Sequence, residues 1–132
     1  MKNAFVIIAL MISSGSAFAS GLGYNGQCPD ISGTFRGTAG GESSESSFAR
    51  ADVDGNLAYR DEGGQLWVID GQVHSNEGYG TIQLACENGV LHKITVSPGP
   101  GGRDIKMDQT YAIGSDGSLM IGPWGLVMHK VQ

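Results

Sequence analysis

Positive charge is scarce in this sequence. Eight lysines and arginines stand against 13 aspartates and glutamates in 132 residues, a formal net charge of −5. A nucleic-acid binder presents a basic patch or stripe, so this composition points away from nucleic acid. It points away from anionic lipid for the same reason. Helical periodicity is equally scarce. Beyond the N-terminal leader, no stretch of about a dozen residues repeats apolar side chains at i, i+3, i+4 and i+7 without a glycine intervening. Only two cysteines are present, Cys28 and Cys86, with no Cys-x-x-Cys redox motif. No apolar run approaches the roughly 20 residues of a membrane-spanning helix. The longest, Ala4 to Ile12, has nine.

That run reads as part of an export signal. Lys2 precedes it, and Ala17-Phe18-Ala19 follows it as a small-residue cleavage site. Residues 1–19 are therefore predicted to be a removable signal peptide, 20–27 a flexible N-terminal arm, and 28–132 a single β domain. The residues before Cys28 do not form a lipoprotein signal, so a free protein of the periplasm or the exterior is expected, with no membrane insertion. In such a compartment Cys28 and Cys86 are expected to pair as a disulfide. The bridge closes a loop of about 59 residues, worth roughly 4 kcal/mol by chain entropy.

Glycine is abundant, at 22 residues. Much of it falls in turn dipeptides: Asp54-Gly55, Asp70-Gly71, Asn88-Gly89 and Asp116-Gly117, with Glu62-Gly63-Gly64 as a fifth turn. Such pairs reach the positive φ that tight hairpins require. Between them, period-2 alternation predicts strands near Ile31–Gly37, Ser47–Val53, Asn56–Asp61, Gln65–Ile69, Gln72–His74, Gly80–Glu87, Val90–Ser97, Asp104–Ile113, Ser118–Ile121 and Leu126–Val131. Some merging would leave about eight. Thr38 to Ser46, rich in Gly, Ser and Glu, reads as a flexible loop, and Ser97 to Gly102 as a proline-bearing connection. The expected fold is an all-β antiparallel meander curled into a closed barrel, although a two-sheet sandwich has a similar pattern.

Polar residues on apolar faces mark candidate ligand contacts, because a few placed polar groups orient a ligand in an otherwise apolar site. His92 alternates with Val90, Ile94 and Val96. Gln109 and Tyr111 share a face with Met107, and Arg50 lies on the Phe48 face. With Tyr59, these five form the predicted ligand-binding set at the barrel mouth. His74 and His129 read as surface residues. The three histidines lack metal-site spacing, and Asp52-Val53-Asp54-Gly55-Asn56 lacks the Gly and carboxylate that complete a calcium loop. No metal and no cofactor is predicted. No Gly-x-Ser-x-Gly is present, and no catalytic residue stands out. Trp124, in Pro123-Trp124-Gly125, is a candidate partner contact.

Three segments carry a resemblance: Cys28-Pro29-Asp30-Ile31-Ser32-Gly33-Thr34-Phe35, Trp67 to His74, and Cys86 to Leu91. Together they resemble small signal-bearing proteobacterial proteins that open with Cys-Pro-Asp-(Leu/Ile)-Ser-Gly-Thr. More distantly, Ser32-Gly33-Thr34-Phe35 is similar to the Gly-x-Trp opening strand of lipocalin-like barrels, including avidins and bacterial metalloprotease inhibitors. Phe35 stands where that motif has Trp. The resemblance implies a calycin-like barrel with one disulfide and carries no catalytic residues. The function expected is non-catalytic binding of a small, partly apolar molecule in the barrel mouth. The alternative is an enzyme inhibitor or protein-interaction module acting through loops on a filled barrel.

Overall fold

The computed structural model describes residues 28–76 and 78–131. The predicted signal peptide and arm lie outside the described residues. Ten strands form one antiparallel sheet: β1 (Gly33–Ala39), β2 (Glu42–Arg50), β3 (Ala58–Asp61), β4 (Leu66–Val68), β5 (Val73–Ser75), β6 (Thr81–Glu87), β7 (Val90–Pro98), β8 (Asp104–Ile113), β9 (Leu119–Gly122) and β10 (Leu126–Lys130). No helix among the described residues is long and apolar enough to cross a membrane. Each of the ten segments expected from alternation overlaps one observed strand, but the expected count of about eight is not borne out, because the segments do not merge. Asn88 (φ 54°) and Gly89 (φ 80°) make the tight turn between β6 and β7.

One connection differs from expectation. Thr38 to Ser46 is ladder, not loop: β1 and β2 pair continuously from Gly33↔Phe48 to Ala39↔Glu42. Gly40 (φ 61°) and Gly41 (φ 85°) make the turn, using the left-handed conformation that glycine adopts freely. Thr34 Oγ1 and Ser47 Oγ lie 2.9 Å apart across the pair, and Arg36 bonds Glu45 at 2.8 Å. The hairpin tip is solvated on both faces, so polar residues suffice and the alternation signal disappears.

The strand order is β4-β3-β2-β1-β10-β9-β8-β7-β6-β5. This is an up-and-down ring cut at one place. The first and last strands pair, Phe35 against Lys130 and Arg36 against His129. β4 and β5, consecutive in sequence, do not pair. The sheet is therefore open, and the closed barrel expected from the sequence is not formed. The link between them is bonded to both sides of the gap. Ile69 N–H donates to the Leu57 carbonyl at 2.9 Å, and Gly71 N–H donates to the Leu84 carbonyl at 2.9 Å. One end of the link belongs to the β3 side and the other to the β6 side. Asp70-Gly71 thus divides two strands instead of closing a hairpin.

Directly opposed residues of an antiparallel ladder share a face. Cys86, Leu91, Tyr111 and Ile121 are opposed in succession, and all are buried. They define the core face, which Phe35, Phe48, Tyr59, Trp67, Leu84, Leu119 and Met128 complete. Phe48, Trp67 and Tyr111 pack edge to face, with centroids 5.1 Å, 5.3 Å and 6.2 Å apart. Each such pair adds roughly 0.5–1.5 kcal/mol beyond area burial. The expected disulfide is present: Cys28 and Cys86 are bonded at 2.05 Å, with Cα atoms 5.1 Å apart. It ties the segment before β1 to β6 and points to a compartment outside the cytoplasm.

Candidate functional site

The cut in the sheet also forms a concavity. A cleft of about 510 Å³ lies along the seam, lined by Val53, Asn56, Leu66 and Val68 from the β4 side and by His74, Ser75, Ile82 and Leu84 from the β5 side. Asp54, Gln65, Asp70 and Asn76 add polar groups. The volume falls within the usual range for small-ligand sites, about 300–1,000 Å³.

Local chemistry builds the wall at Asp70. Its Oδ1 accepts from the Gln72 N–H at 2.9 Å, fixing the turn. Its Oδ2 lies 2.8 Å from His74 Nε2. An ionised carboxylate only accepts, so Nε2 carries the proton and Nδ1 is left for other partners. The imidazole is half exposed, while the carboxylate is largely covered. No hydroxyl or thiol is hydrogen-bonded to this ring among the described residues. Ser75, next in the chain, points to the other side of its strand. The pair can orient a polar ligand group, and among the described residues no nucleophile is hydrogen-bonded to it.

A second cluster lies on the core face. Lys93 opposes Gln109 directly on the β7–β8 ladder. Its Nζ sits 4.4 Å from the centre of the Trp67 ring, a cation–π arrangement. Burial lowers its pKa, against the opposing pull of Asp61 and Glu62. Tyr111 is pushed up to about 12, first by burial and then by the negative charge of Glu62 and Asp61. Asp61 is fully engaged: it accepts from Gly63 N–H, Gln65 N–H and Trp67 Nε1–H at 3.0 Å, 2.8 Å and 3.1 Å.

The five residues predicted for the ligand site divide into three places. Gln109 and Tyr111 stand together on the core face beside Lys93. Arg50 and Tyr59 oppose each other on the β2–β3 ladder. Arg50 is exposed and bonds Asp52 at 2.9 Å. That hydrogen bond raises the pKa of the guanidinium and lowers that of the carboxylate. Tyr59 is buried, with its hydroxyl 3.4 Å from the Pro29 carbonyl and its pKa raised by that burial. His92 lies on the opposite face of the sheet from the core. It opposes Ala85 and Thr110 there, and its Nδ1 is 3.1 Å from Asp108. The apolar row Val90, Ile94 and Val96 faces outward with it, and Leu91 and Lys93 face inward. Register explains this inversion: Leu91 is locked opposite Cys86 and Tyr111, which leaves the alternate row outside.

None of the five lines the seam. His74, read from sequence as a surface residue, does. Its only sequence signal was the Asp70–His74 spacing of four across a tight turn. His129 pairs instead with Ser118 Oγ at 3.0 Å. No group of three metal-ligating side chains forms among the described residues. Asp54 and Gly55 make a plain two-residue turn between Val53 and Asn56. Trp124 is 59% exposed at the β9–β10 turn. No known family, curated protein or solved structure matches the chain.

Proposed function

We propose that this is a non-catalytic binding protein of the periplasm or exterior, and that its ligand, partly apolar, sits in the cleft between β4 and β5. The observation that carries this reading is the seam itself, a concavity walled by Val68, Ile82 and Leu84 and equipped with the Asp70–His74 pair. Apolar walls supply most of the affinity and the polar groups fix orientation. The site is moved from the barrel mouth first expected, because Phe48, Trp67 and Tyr111 fill the interior. The test is native mass spectrometry of protein recovered from its own host. A bound mass that denaturation releases, and that is lost in Ile82→Trp, supports the reading. A bare polypeptide from the host, together with failure of Ile82→Trp to change any ligand-induced stabilisation, contradicts it.

A second reading has its own observation. Trp124 is exposed, and so are Met120 and Val127, which oppose each other on β9 and β10. Tryptophan is enriched among the anchors of protein contacts. On this reading the protein is an inhibitor or interaction module, and Trp124→Ala abolishes capture of its partner without affecting the seam.

A further inference from the structure

We infer that the seam takes an extended peptide segment bearing basic side chains, bound as an added strand between β4 and β5; this rests on the reading above that the seam is the binding site. The first support is the backbone. In an antiparallel ladder, hydrogen-bonded and non-hydrogen-bonded pairs alternate. Ile69 N–H bonds Leu57 and Asp61 N–H bonds Gln65, so Trp67, midway, is the β4 residue bonded to β3. The N–H and C=O of Leu66 and Val68 therefore point away from β3, into the seam. On the other side, Asn76 N–H bonds the Gly80 carbonyl, which makes His74 the β5 residue bonded to β6. The N–H and C=O of Val73 and Ser75 then point into the seam. None of these eight groups has a protein hydrogen-bond partner among the described residues.

Unpaired strand edges are templates for another strand, and proteins commonly guard them with lysine or proline. Neither β4 nor β5 carries either residue. Shortness is their main guard, and three residues are enough to receive about 10 Å of extended chain. The side chains around them suit a strand as well. Leu66, Val73 and Tyr79 are 36%, 61% and 74% exposed. Charge then selects the partner. Asp54 and Asp70 line the cleft and, among the described residues, no lysine or arginine does, so a basic side chain is attracted and an acidic one repelled.

The test uses the capped pentapeptide VKVKV, its acidic counterpart VEVEV, and VKVKV N-methylated along its backbone. Calorimetry is expected to show VKVKV binding at least about tenfold more tightly than VEVEV. Amide exchange of Leu66, Val68, Val73 and Ser75 is expected to slow when VKVKV binds. N-methylation, which removes the strand's donors, is expected to abolish both effects, and Val73→Lys to weaken binding without unfolding the protein. Absence of VKVKV binding overturns the inference, as does binding that survives N-methylation and leaves those amides unprotected. Concentration-dependent dimerisation that protects the same amides also overturns it, in favour of a second copy of the chain. If a non-peptide molecule from the host is lost in Ile82→Trp while VKVKV fails, the seam remains a binding site and only the peptide assignment falls. If neither binds, both readings fall.

Discussion

Two junctions in this sheet invert what chain order suggests. β1 and β10 stand at opposite ends of the domain, yet they pair at Phe35↔Lys130 and Arg36↔His129, and Val131 N–H extends the ladder to the Thr34 carbonyl at 2.8 Å. β4 and β5 are separated by four residues, yet they leave their facing edges unpaired. The difference lies in what each neighbour is already bonded to. β1 and β10 meet with core side chains in place, Phe35 and Met128, both almost fully buried. The Ile69–Gln72 link is held from both sides, Ile69 bonding Leu57 and Gly71 bonding Leu84. Short loop closure is entropically cheap, but here it is outweighed by the positions of the long-range partners. The unpaired junction is the one that makes a cleft.

Four perturbations break or sharpen this contrast. The largest effect is expected from Cys28→Ser, which releases the segment before β1 from β6. Loss of the loop constraint costs roughly 4 kcal/mol, to be read as a lower urea midpoint against the oxidised wild type. Next is Ile69→Ala. Ile69 is fully buried at the dividing link, so about 3 kcal/mol is expected from lost burial and the cavity left behind. If the link is what holds β4 and β5 apart, this variant also changes the seam amides, while the β1–β10 amides stay as they were.

The third perturbation is pH. Tyr111 has its pKa raised from about 10 to about 12, chiefly by burial. A raised value means that the folded state holds the proton more tightly than the unfolded chain does. The contribution is fully present below about pH 10 and is lost as pH rises towards about 12. The loss amounts to about 2–3 kcal/mol. Tyr111→Phe is expected to flatten the fall in stability between about pH 10 and 12. The amine of Lys93 shifts downward and so acts in the opposite sense, which makes the difference between variant and wild type the quantity to measure. The smallest effect on stability is expected from Val73→Lys. Val73 is 61% exposed on an edge, so stability in thermal denaturation is expected to change by less than about 0.5 kcal/mol, while VKVKV binding at the seam is weakened.

Much of the meander was legible in the sequence because turn dipeptides and period-2 alternation are local signals. Asn88-Gly89 and Asp61 to Gly64 turn where their residues require it, and the two cysteines meet as their compartment suggests. Two local signals misled. The β1–β2 tip is polar on both faces, so it looked like a loop. The row Val90, His92, Ile94 and Val96 looked like a core face, yet register places it outside and brings Lys93 in over Trp67. The seam was illegible for a deeper reason. Asp70-Gly71 has the composition of a hairpin turn, and only hydrogen bonds to Leu57 and Leu84, 12 residues before Ile69 and 13 after Gly71 along the chain, reveal that it separates strands. The cleft residues come from four separate stretches, and no one of them carries a ligand-site pattern by itself.

The central claim is that the sheet is open at one place, and amide hydrogen exchange of the free protein tests it most directly. Arg36 and His129, paired across β1 and β10, are expected to exchange slowly, as ladder amides do. Leu66, Val68, Val73 and Ser75 are expected to exchange far faster, close to the rate of unprotected edges. Equal protection at both junctions would mean that β4 and β5 close the ring, leaving no seam for a ligand to enter.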